Sequence, residues 1–362
     1  MVPVVDLSRR GASVAEAFGA RVAEIARRGA FLLGPETSAF EQELASWAHA
    51  PGSVAVSSGA SALQLALRAV GVRPGDEVIV PAFTAVPTAS AVAALGAVPV
   101  FVDVDPSTAG LDPALVDTAR TDRTRAVVVV HRYGRAVDLP QTDLPIVEDA
   151  AQAQGALTDH GRSAAVAYSF YPTKNLGGIG DGGAVVSTRP DVLDRVRLDR
   201  THGMTEQYVH EDVSQNFRMS EIEAAWLRMG LGDLAAGNDR RREIAARYRE
   251  AAPHLVWHAD DVTHVHHLCV ARVPGRHLVR AWLADRGVAT AVHYPLALTQ
   301  QPAYRHLTRT PCPEAEAWAA ECMTLPCFPE LTEHEIDQVE SALATMTADD
   351  IVRAEAEREA TA

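Results

Sequence analysis

The first half of the chain alternates segments of helical periodicity with short runs that are apolar on both faces. Helical periodicity covers four segments, at 14–28, 35–50, 61–70 and 85–95. The apolar runs are 77–81, 98–104, 126–130 and 144–149. Strands that are apolar throughout and separated by helices are typical of a mainly parallel sheet covered on both sides. We therefore predict an α/β fold with a large sheet domain.

The pattern changes beyond Met219, where long helices rich in Arg, Ala and Glu begin. Helices are predicted at 221–231, 238–252 and near 276–286, and strands near 264–273 and 288–292. We interpret this as a large domain over 1–240 followed by a smaller α+β domain over 241–362. The tail 349–362 is charged and helical in composition, and is predicted to fray.

The composition of the chain argues against several classes of protein: nucleic-acid-binding, membrane-associated and metal-binding. The chain has 362 residues and a formal net charge of −14, which argues against nucleic acid or an anionic membrane as a partner. No apolar run reaches membrane-spanning length, and the N-terminus does not resemble a signal peptide, so we expect a cytoplasmic protein. The 4 cysteines lack C-x-x-C spacing, which favours free thiols and no metal site.

Lys174 is the residue with the clearest chemistry, because hydroxyls, aromatics and glycines surround it in the segment 168–183. Asp149 precedes it at the end of a buried apolar run, where open α/β sheets place their ligands. A lysine can form a Schiff base with the aldehyde of pyridoxal phosphate, and an acid can keep the pyridine nitrogen protonated. Asp149 alone would favour a helix cap or an ion pair. Lys174 downstream favours the cofactor interpretation.

Two further motifs are weaker by themselves. The turn 57–61 precedes a helix, and small residues there present free N–H groups to a phosphate or simply cap the helix. Ser169 could add a hydroxyl to the same phosphate. Phe83 follows a strand end, where an aromatic ring could stack on a flat cofactor, although such a residue is more often core.

Several polar residues have two interpretations. Asn216 lies in the segment 215–219 before a predicted helix, and a cap is favoured over a ligand contact. His264 and His266 share one face of a predicted strand, and a half-exposed strand is favoured over a metal site. His293 and the tyrosine after it end another predicted strand, where they either point into a cleft or mark a turn.

Together these motifs resemble the nucleotide-sugar aminotransferases of the DegT/DnrJ/StrS type. The resemblance runs from Phe31 to His293, and the spans 75–105, 147–155 and 168–187 are its most specific parts. The run Ser-Phe-Tyr-Pro-Thr-Lys-Asn-Leu-Gly, followed by Gly-Asp-Gly-Gly, is most similar to the subgroup that aminates C3 of a keto-deoxyhexose. The Thr-Gly-Glu-Gly-Gly run that is common in the C4 subgroup is absent from the sequence.

The resemblance implies a fold-type I pyridoxal phosphate enzyme, similar to aspartate aminotransferase, that forms a homodimer with shared active sites. It implies that Lys174 is the Schiff-base lysine and proton shuttle, that Asp149 pairs with the pyridine nitrogen and that Gln152 contacts the ring hydroxyl. It assigns the remaining roles as follows: ring stacking to Phe83, phosphate binding to Gly59, Ala60, Ser169 and Asn216 of the other subunit, and sugar-nucleotide contacts to Tyr171, His293 and Tyr294.

Four positions depart from the family pattern. Ala60 stands where threonine is common, Gln207 where the C3 subgroup often has lysine, Thr299 where histidine is usual, and Arg132 where an apolar residue is usual. The cofactor set is otherwise intact, and the substrate side is altered.

The resemblance implies ping-pong transamination from an amino acid, L-glutamate by family likeness, to a keto group of a nucleotide-linked (dTDP) deoxy sugar, at C3. The high Ala and Arg content indicates a GC-rich genome, and enzymes of this family in such genomes often serve antibiotic deoxyaminosugar biosynthesis. One alternative is a pyridoxal phosphate-dependent sugar dehydratase of the same fold, but those enzymes carry histidine in place of Lys174. The other is a non-catalytic binding or regulatory protein that keeps the fold.

Overall fold

A seven-stranded sheet forms the centre of the protein. The computed structural model describes residues 1–156 and 161–346. The strands of this sheet are β1 (Gly52–Val56), β2 (Glu77–Pro81), β3 (Val98–Val102), β4 (Thr124–Val130), β5 (Ile146–Asp149), β6 (Ala165–Ser169) and β7 (Gly183–Ser187). Their order is β1-β7-β6-β5-β4-β2-β3, and β7 alone runs antiparallel to its neighbours. The predicted, mainly parallel α/β architecture is therefore confirmed.

Helices cover both faces of the sheet. The helices are α1 (Leu7–Arg28), α2 (Pro35–Trp47), α3 (Gly59–Ala69), α4 (Val86–Ala94), α5 (Val116–Ala119), α6 (Pro190–Arg200), α7 (Glu221–Leu231), α8 (Leu234–Ala251), α9 (Arg276–Asp285), α10 (Pro313–Glu321) and α11 (Glu333–Ala344). Successive residues of β4 enter different cores, because side chains alternate along a strand. Val128 packs in the cluster with α3 and α4, and Val127 packs with Val116 of α5 on the opposite face.

A smaller sheet lies near the C-terminus. It consists of β10 (Val256–Trp257), β11 (Cys269–Arg272) and β12 (Cys322–Leu325) in that order, all antiparallel, and it packs with α8, α9 and α11. A separate exposed hairpin is formed by β8 (Met204–Glu206) and β9 (Val209–His210). The proposed domain division after residue 240 falls inside α8, whose Leu234 packs against the large sheet and whose Ile244 packs in the C-terminal core.

Most predicted elements of the first half are present within a few residues of their predicted bounds. The strand over 77–81 and the helix over 221–231 have the predicted bounds. The first helix begins earlier than predicted, at Leu7, because Asp6 accepts a hydrogen bond from the Ser8 N–H and caps it. The tail 349–362 lies outside the described residues.

Two predicted strands of the small domain need correction. The segment 288–292 is not a strand, since Val288 makes a single bridge to Val2 and Ala291 a single bridge to Thr324. The strand predicted at 264–273 is confined to β11, which begins at Cys269. Both segments carry apolar residues because they pass through the core, and burial alone does not produce a ladder of strand pairing.

Candidate active site

The carboxyl ends of the parallel strands bring the predicted site residues to one edge of the sheet. β1, β6, β5, β4 and β2 all point the same way, so the loops after them share this edge. The turn 57–61 follows β1, Ser169 ends β6 and Asp149 ends β5. Segments 131–134 and 82–85 follow β4 and β2.

Lys174 lies in the loop after β6 and lines a cavity of about 410 Å³. The cavity wall includes Gln152, Tyr171, Lys174, His267, His293 and Tyr294. Burial lowers the pKa of Lys174 to about 8, against the attraction of Asp149, which raises it. Compared with an ordinary lysine, this increases the neutral fraction of Nζ at pH 7 by about two orders of magnitude. Lys174 is therefore suited to act as a nucleophile and as a proton acceptor.

Asp149 is a buried carboxylate, with 5% of its surface exposed, and two donors orient it. The Thr88 hydroxyl donates to Oδ2 at 2.8 Å, and the Ala151 backbone N–H donates to Oδ1 at 3.1 Å. Thr88 comes from α4 and Ala151 from the loop after β5, so two elements fix the carboxylate plane. Sequence reasoning missed Thr88, because a threonine inside an apolar helix carries no distinctive pattern.

An anion cradle lies at the N-terminus of α3. Ser58 caps the helix by accepting from the Ser61 N–H at 3.1 Å, and the first N–H groups of a helix otherwise lack intrahelical acceptors. A Cβ at Gly59 would lie 2.5 Å from the Ser169 Cβ, so the close approach of the two segments requires glycine. Ala60 follows within the first turn of the helix. A phosphate is the kind of ligand that such a helix end with a nearby hydroxyl binds.

Two glutamines brace the strand ends. Gln152 accepts a hydrogen bond from the Tyr133 backbone N–H at 2.7 Å while lining the cavity. The Gln154 amide donates to the Ser169 carbonyl at 2.6 Å and so anchors the end of β6 beside the cradle. Gln154 was missed in the sequence, although its two-residue spacing from Gln152 was visible.

Phe83 is fully buried and lies between other groups. Its ring stacks against Trp318, with centroids 6.2 Å apart, and the Arg132 guanidinium lies 4.6 Å from its centroid. Phe83 is not among the residues that line the cavity containing Lys174 and His293.

The predicted substrate residues come together on the cavity wall. Tyr171 is half exposed, and His293 and Tyr294 face it from the C-terminal part of the chain. The His293 Nδ1 lies 2.9 Å from the Thr324 hydroxyl. Burial, reinforced by the charges of Arg132 and Lys174, lowers the pKa of His293 to about 4, so its ring is neutral at pH 7.

Asn216 lies apart from these residues. Its side chain is exposed, and its Oδ1 accepts from Arg218 Nε at 2.9 Å. The prediction that 215–219 caps a helix is wrong, because α7 begins at Glu221 with Ser220 as its cap, accepting from the Glu223 N–H. The segment is extended instead, with a single bridge from Asn216 to Thr201.

The histidines near 264 are buried, so the expected half-exposed strand is wrong. The His264 and His266 rings stack 3.8 Å apart, and His258 lies 3.2 Å from His264. Burial and neighbouring charges hold the pKa of His264 well below its usual value. Within 1–156 and 161–346, no group of three or more His, Cys, Asp or Glu could hold a metal ion.

The four departures from the family pattern lie in different parts of the structure. Ala60 is in the anion cradle, and Gln207 is exposed in the turn of the β8–β9 hairpin. Thr299 is buried, with its hydroxyl 3.4 Å from Glu316. Arg132 is buried beside the cavity residues, with Nη2 donating to the His293 carbonyl at 2.9 Å.

The sheet, the lysine loop and the cradle define a fold-type I pyridoxal phosphate enzyme. The chain belongs to the DegT/DnrJ/EryC1/StrS aminotransferase family, whose profile matches residues 13–344. It is 40% identical to the dTDP-3-amino-3,4,6-trideoxy-alpha-D-glucose transaminase of Streptomyces venezuelae over 348 residues, covering 91% of this chain and 92% of the relative. It is 37% identical to a pleiotropic regulatory protein of Geobacillus stearothermophilus, covering 95% and 98%.

A solved structure of an aminotransferase relative has the same fold as this chain. The crystal structure of S. venezuelae DesV in complex with a ketimine intermediate superposes with a TM-score of 0.88 at 38% identity, covering 95% of this chain and 97% of that one. The protein is therefore an aminotransferase, and pyridoxal phosphate is its cofactor. In the described part of the chain, no helix is both long and apolar enough to cross a membrane.

Proposed function

We propose that this enzyme transfers an amino group from L-glutamate to the C3 keto group of a dTDP-linked deoxy sugar. The observation that carries the proposal is the half-buried Lys174, with its lowered pKa, in a cavity beside Asp149. The named activity of the S. venezuelae relative supports a dTDP-linked 3-amino product. This chemistry belongs to deoxyaminosugar biosynthesis of the kind that supplies antibiotics, and the four buried free thiols suit the reducing cytoplasm.

The residues present fit pyridoxal phosphate. The helix end at Gly59 and Ala60, with the Ser169 hydroxyl, would hold the phosphate, because a side chain at Gly59 would collide with Ser169. Asp149 would keep the proton on the ring nitrogen, and Gln152 would meet the ring hydroxyl from the cavity wall. Phe83 is fully buried, so it would contact the cofactor ring from the core side of the site.

Lys174 performs the proton transfers of both half-reactions. When bound, the cofactor supplies an electron sink for the carbon that loses its proton. Lys174 Nζ would hold the cofactor covalently, and as a free amine it would move the proton of the donor Cα across to the cofactor. A pKa of about 8 leaves Nζ able to accept that proton and to release it again, and in the second half-reaction Nζ would move a proton in the reverse sense, from the cofactor to the sugar carbon.

The cavity wall opposite Lys174 would bind the sugar nucleotide. Tyr171 exposes an aromatic face and a hydroxyl, which suit a sugar ring. His293 is neutral and hydrogen-bonded to Thr324, so one ring nitrogen is fixed and the other is left for substrate. Tyr294 lines the same cavity.

We further propose a homodimer in which Asn216 reaches the phosphate of the partner's site. Asn216 is exposed and does not line the cavity of Lys174 in its own chain. Apolar residues are exposed nearby in the chain: Tyr208 is 84% exposed in the β8–β9 hairpin and Val213 follows it. Phe31 and Leu32 are exposed before α2. Exposed apolar surface of this kind marks a protein interface.

The test is product analysis with purified holoenzyme. Incubation with L-glutamate and dTDP-linked 3-keto or 4-keto 6-deoxy sugars should give an amino product from the 3-keto sugar, detected by mass spectrometry and located by NMR. An amino group at C4 would refute the position. Absence of any amino product, with glutamate left unconverted, would favour the regulatory alternative that the Geobacillus relative's name suggests.

A further inference from the structure

Arg132 is a buried arginine whose guanidinium is incompletely satisfied. It is 1% exposed, and Nε and Nη1 have no hydrogen-bond partner among the described residues. Only Nη2 is anchored, by the His293 carbonyl at 2.9 Å, with the Tyr133 hydroxyl at 3.5 Å. A buried cation with unused donors is costly to keep, so its retention calls for a partner that the folded chain does not supply.

Three other arginines with an unpartnered nitrogen differ from Arg132 because each forms an ion pair. Arg68, Arg135 and Arg200 also have an Nε without a hydrogen-bond acceptor, but each pairs with a carboxylate, at Asp199, Asp261 and Glu41. No salt bridge joins Arg132 to an acid within the residues that the structure describes. Its charge is met by the faces of Phe83, Tyr133 and Tyr294, at 4.6, 4.4 and 4.8 Å.

These contacts hold Arg132 directly behind the wall of the substrate cavity, covered by His293 and Tyr294. Tyr294 and His293 line that cavity together with Lys174, and both touch the guanidinium. Its positive charge is felt by the reactive groups, because, after burial, it contributes to the lowered pKa of His293 and of Lys174. An anion bound at Arg132 would therefore sit beside the reacting centre.

The cofactor phosphate is not this anion. Arg132 follows β4, whereas Ser169 ends β6 and α3 follows β1, which lie two and four strands away in the sheet. With strands about 4.8 Å apart, the cradle is separated from Arg132 by about 10 Å or more. A substrate that enters the cavity can supply the missing partner.

We propose that Arg132 is a specificity residue that binds a carboxylate carried by a substrate. A planar guanidinium with free N–H donors on Nε and Nη1 matches the two oxygens of a carboxylate. The carboxylate comes either from the amino donor or from a sugar oxidised at C6. The inference rests on the proposed function, since both sources are reactants of an amino transfer to a nucleotide sugar, and assignment to the sugar would replace the deoxy sugar of that proposal by a C6 acid.

The test compares Arg132→Met and Arg132→Lys with a matched control, Arg272→Met. Arg272 lies 5.2 Å from the ring of Trp318, the residue on which Phe83 stacks, but its guanidinium is paired with Glu314 and Glu321. Arg272→Met should therefore lower the melting temperature without changing carboxylate affinity. Arg132→Met should leave the melting temperature unchanged or raised, because it removes an unpaired buried charge.

Binding is measured first without chemistry. Glutarate, a dicarboxylate that cannot be transaminated, is titrated into each holoenzyme by calorimetry. Single-turnover rates with L-glutamate then give the donor affinity. In a parallel arm, nucleotide keto sugars with a carboxylate or a hydroxymethyl group at C5 are compared. Loss of a charged hydrogen bond predicts weakening by on the order of 10- to 100-fold in Arg132→Met, with partial recovery in Arg132→Lys.

The two arms identify the source. Weakened glutarate and glutamate binding assigns the carboxylate to the amino donor. Loss of preference for the carboxylated sugar, with donor binding intact, assigns it to the sugar. If Arg132→Met changes neither arm while the wild type still makes amino product, the specificity role is refuted and the proposed function stands. If the wild type makes no amino product, the proposed function itself has failed, whatever glutarate shows.

Discussion

At the residue scale, the reactivity of the site depends on two opposite charges that different loops deliver to one sheet edge. Lys174→Ala should abolish the covalent link to the cofactor, because the segment 168–183 contains no other lysine. Treatment with borohydride followed by mass spectrometry of the intact protein measures the link directly. A cofactor mass that remains attached to the Lys174→Ala chain would show that another residue holds it.

A substitution at Asp149 changes the same site without removing the residue that holds the cofactor. Asp149→Asn keeps one oxygen that can accept from the Ala151 N–H, and its amide nitrogen can donate to the Thr88 hydroxyl oxygen, but it removes the charge that holds the ring proton. Folding should therefore persist, and the glutamate half-reaction should slow by at least about 100-fold. Stopped-flow spectroscopy measures the half-reaction. Asp143→Asn is the matched control, because Asp143 is an exposed carboxylate paired with Arg120. A rate within a few-fold of wild type would remove Asp149 from the catalytic set.

At the element scale, the glycine loop after Lys174 is arranged around a carboxylate from α7. The Gly180 N–H donates to Glu223 at 2.9 Å, and a Cβ at Gly178 would lie 1.7 Å from the Glu223 Oε1. Gly178 is therefore needed for close approach to this side chain, whereas a Cβ at Gly180 would lie 3.6 Å from the Glu223 Oε2, an ordinary contact. Burial raises the pKa of Glu223 from 4.5 to about 7.

This raised pKa predicts a pH dependence of stability. The folded state binds the Glu223 proton more tightly than the unfolded state, so stability falls as pH rises from about 4.5 to about 7 and is level above that. Glu223→Gln should remove this fall and stabilise the protein at pH 8 by about 1 to 3 kcal/mol. Urea unfolding between pH 4.5 and 8.5 measures it. An unchanged pH slope in the variant would rule out Glu223 as its source.

The elements that sequence analysis recovered best are those whose burial pattern matches their geometry. β2 and β4 are apolar on both faces because two cores meet there, and both were predicted. β6 and β7 were not assigned, because Ala165, Gly183 and Ala184 are small residues that give little strand pattern. Lys174 and Asp149 could be found from type and spacing. The lack of hydrogen-bond partners at two nitrogens of Arg132 could not be predicted from the sequence, because it depends on which groups surround that side chain in the fold.

At the scale of the whole molecule, the proposed dimer makes a prediction that no single chain can satisfy. Asn216 is exposed and lies on the extended segment before α7, away from the cavity of Lys174 in its own chain. If it serves the partner's phosphate, mixed dimers of Lys174→Ala with Asn216→Leu chains should complement. One site then combines the intact Lys174 of one chain with the intact Asn216 of the other, and the second site carries both lesions.

The expected activity of such a heterodimer is about half that of wild type, since one of two sites is intact. Differently tagged chains, co-expressed and purified through both tags, isolate the heterodimer, and glutamate turnover measures it. The two single-variant homodimers are the controls, and both should be inactive. If Asn216 serves its own chain, each site of the heterodimer carries one lesion. An inactive heterodimer alongside two inactive homodimers would therefore refute the shared site, whereas a monomer in sedimentation at assay concentration would refute the dimer itself.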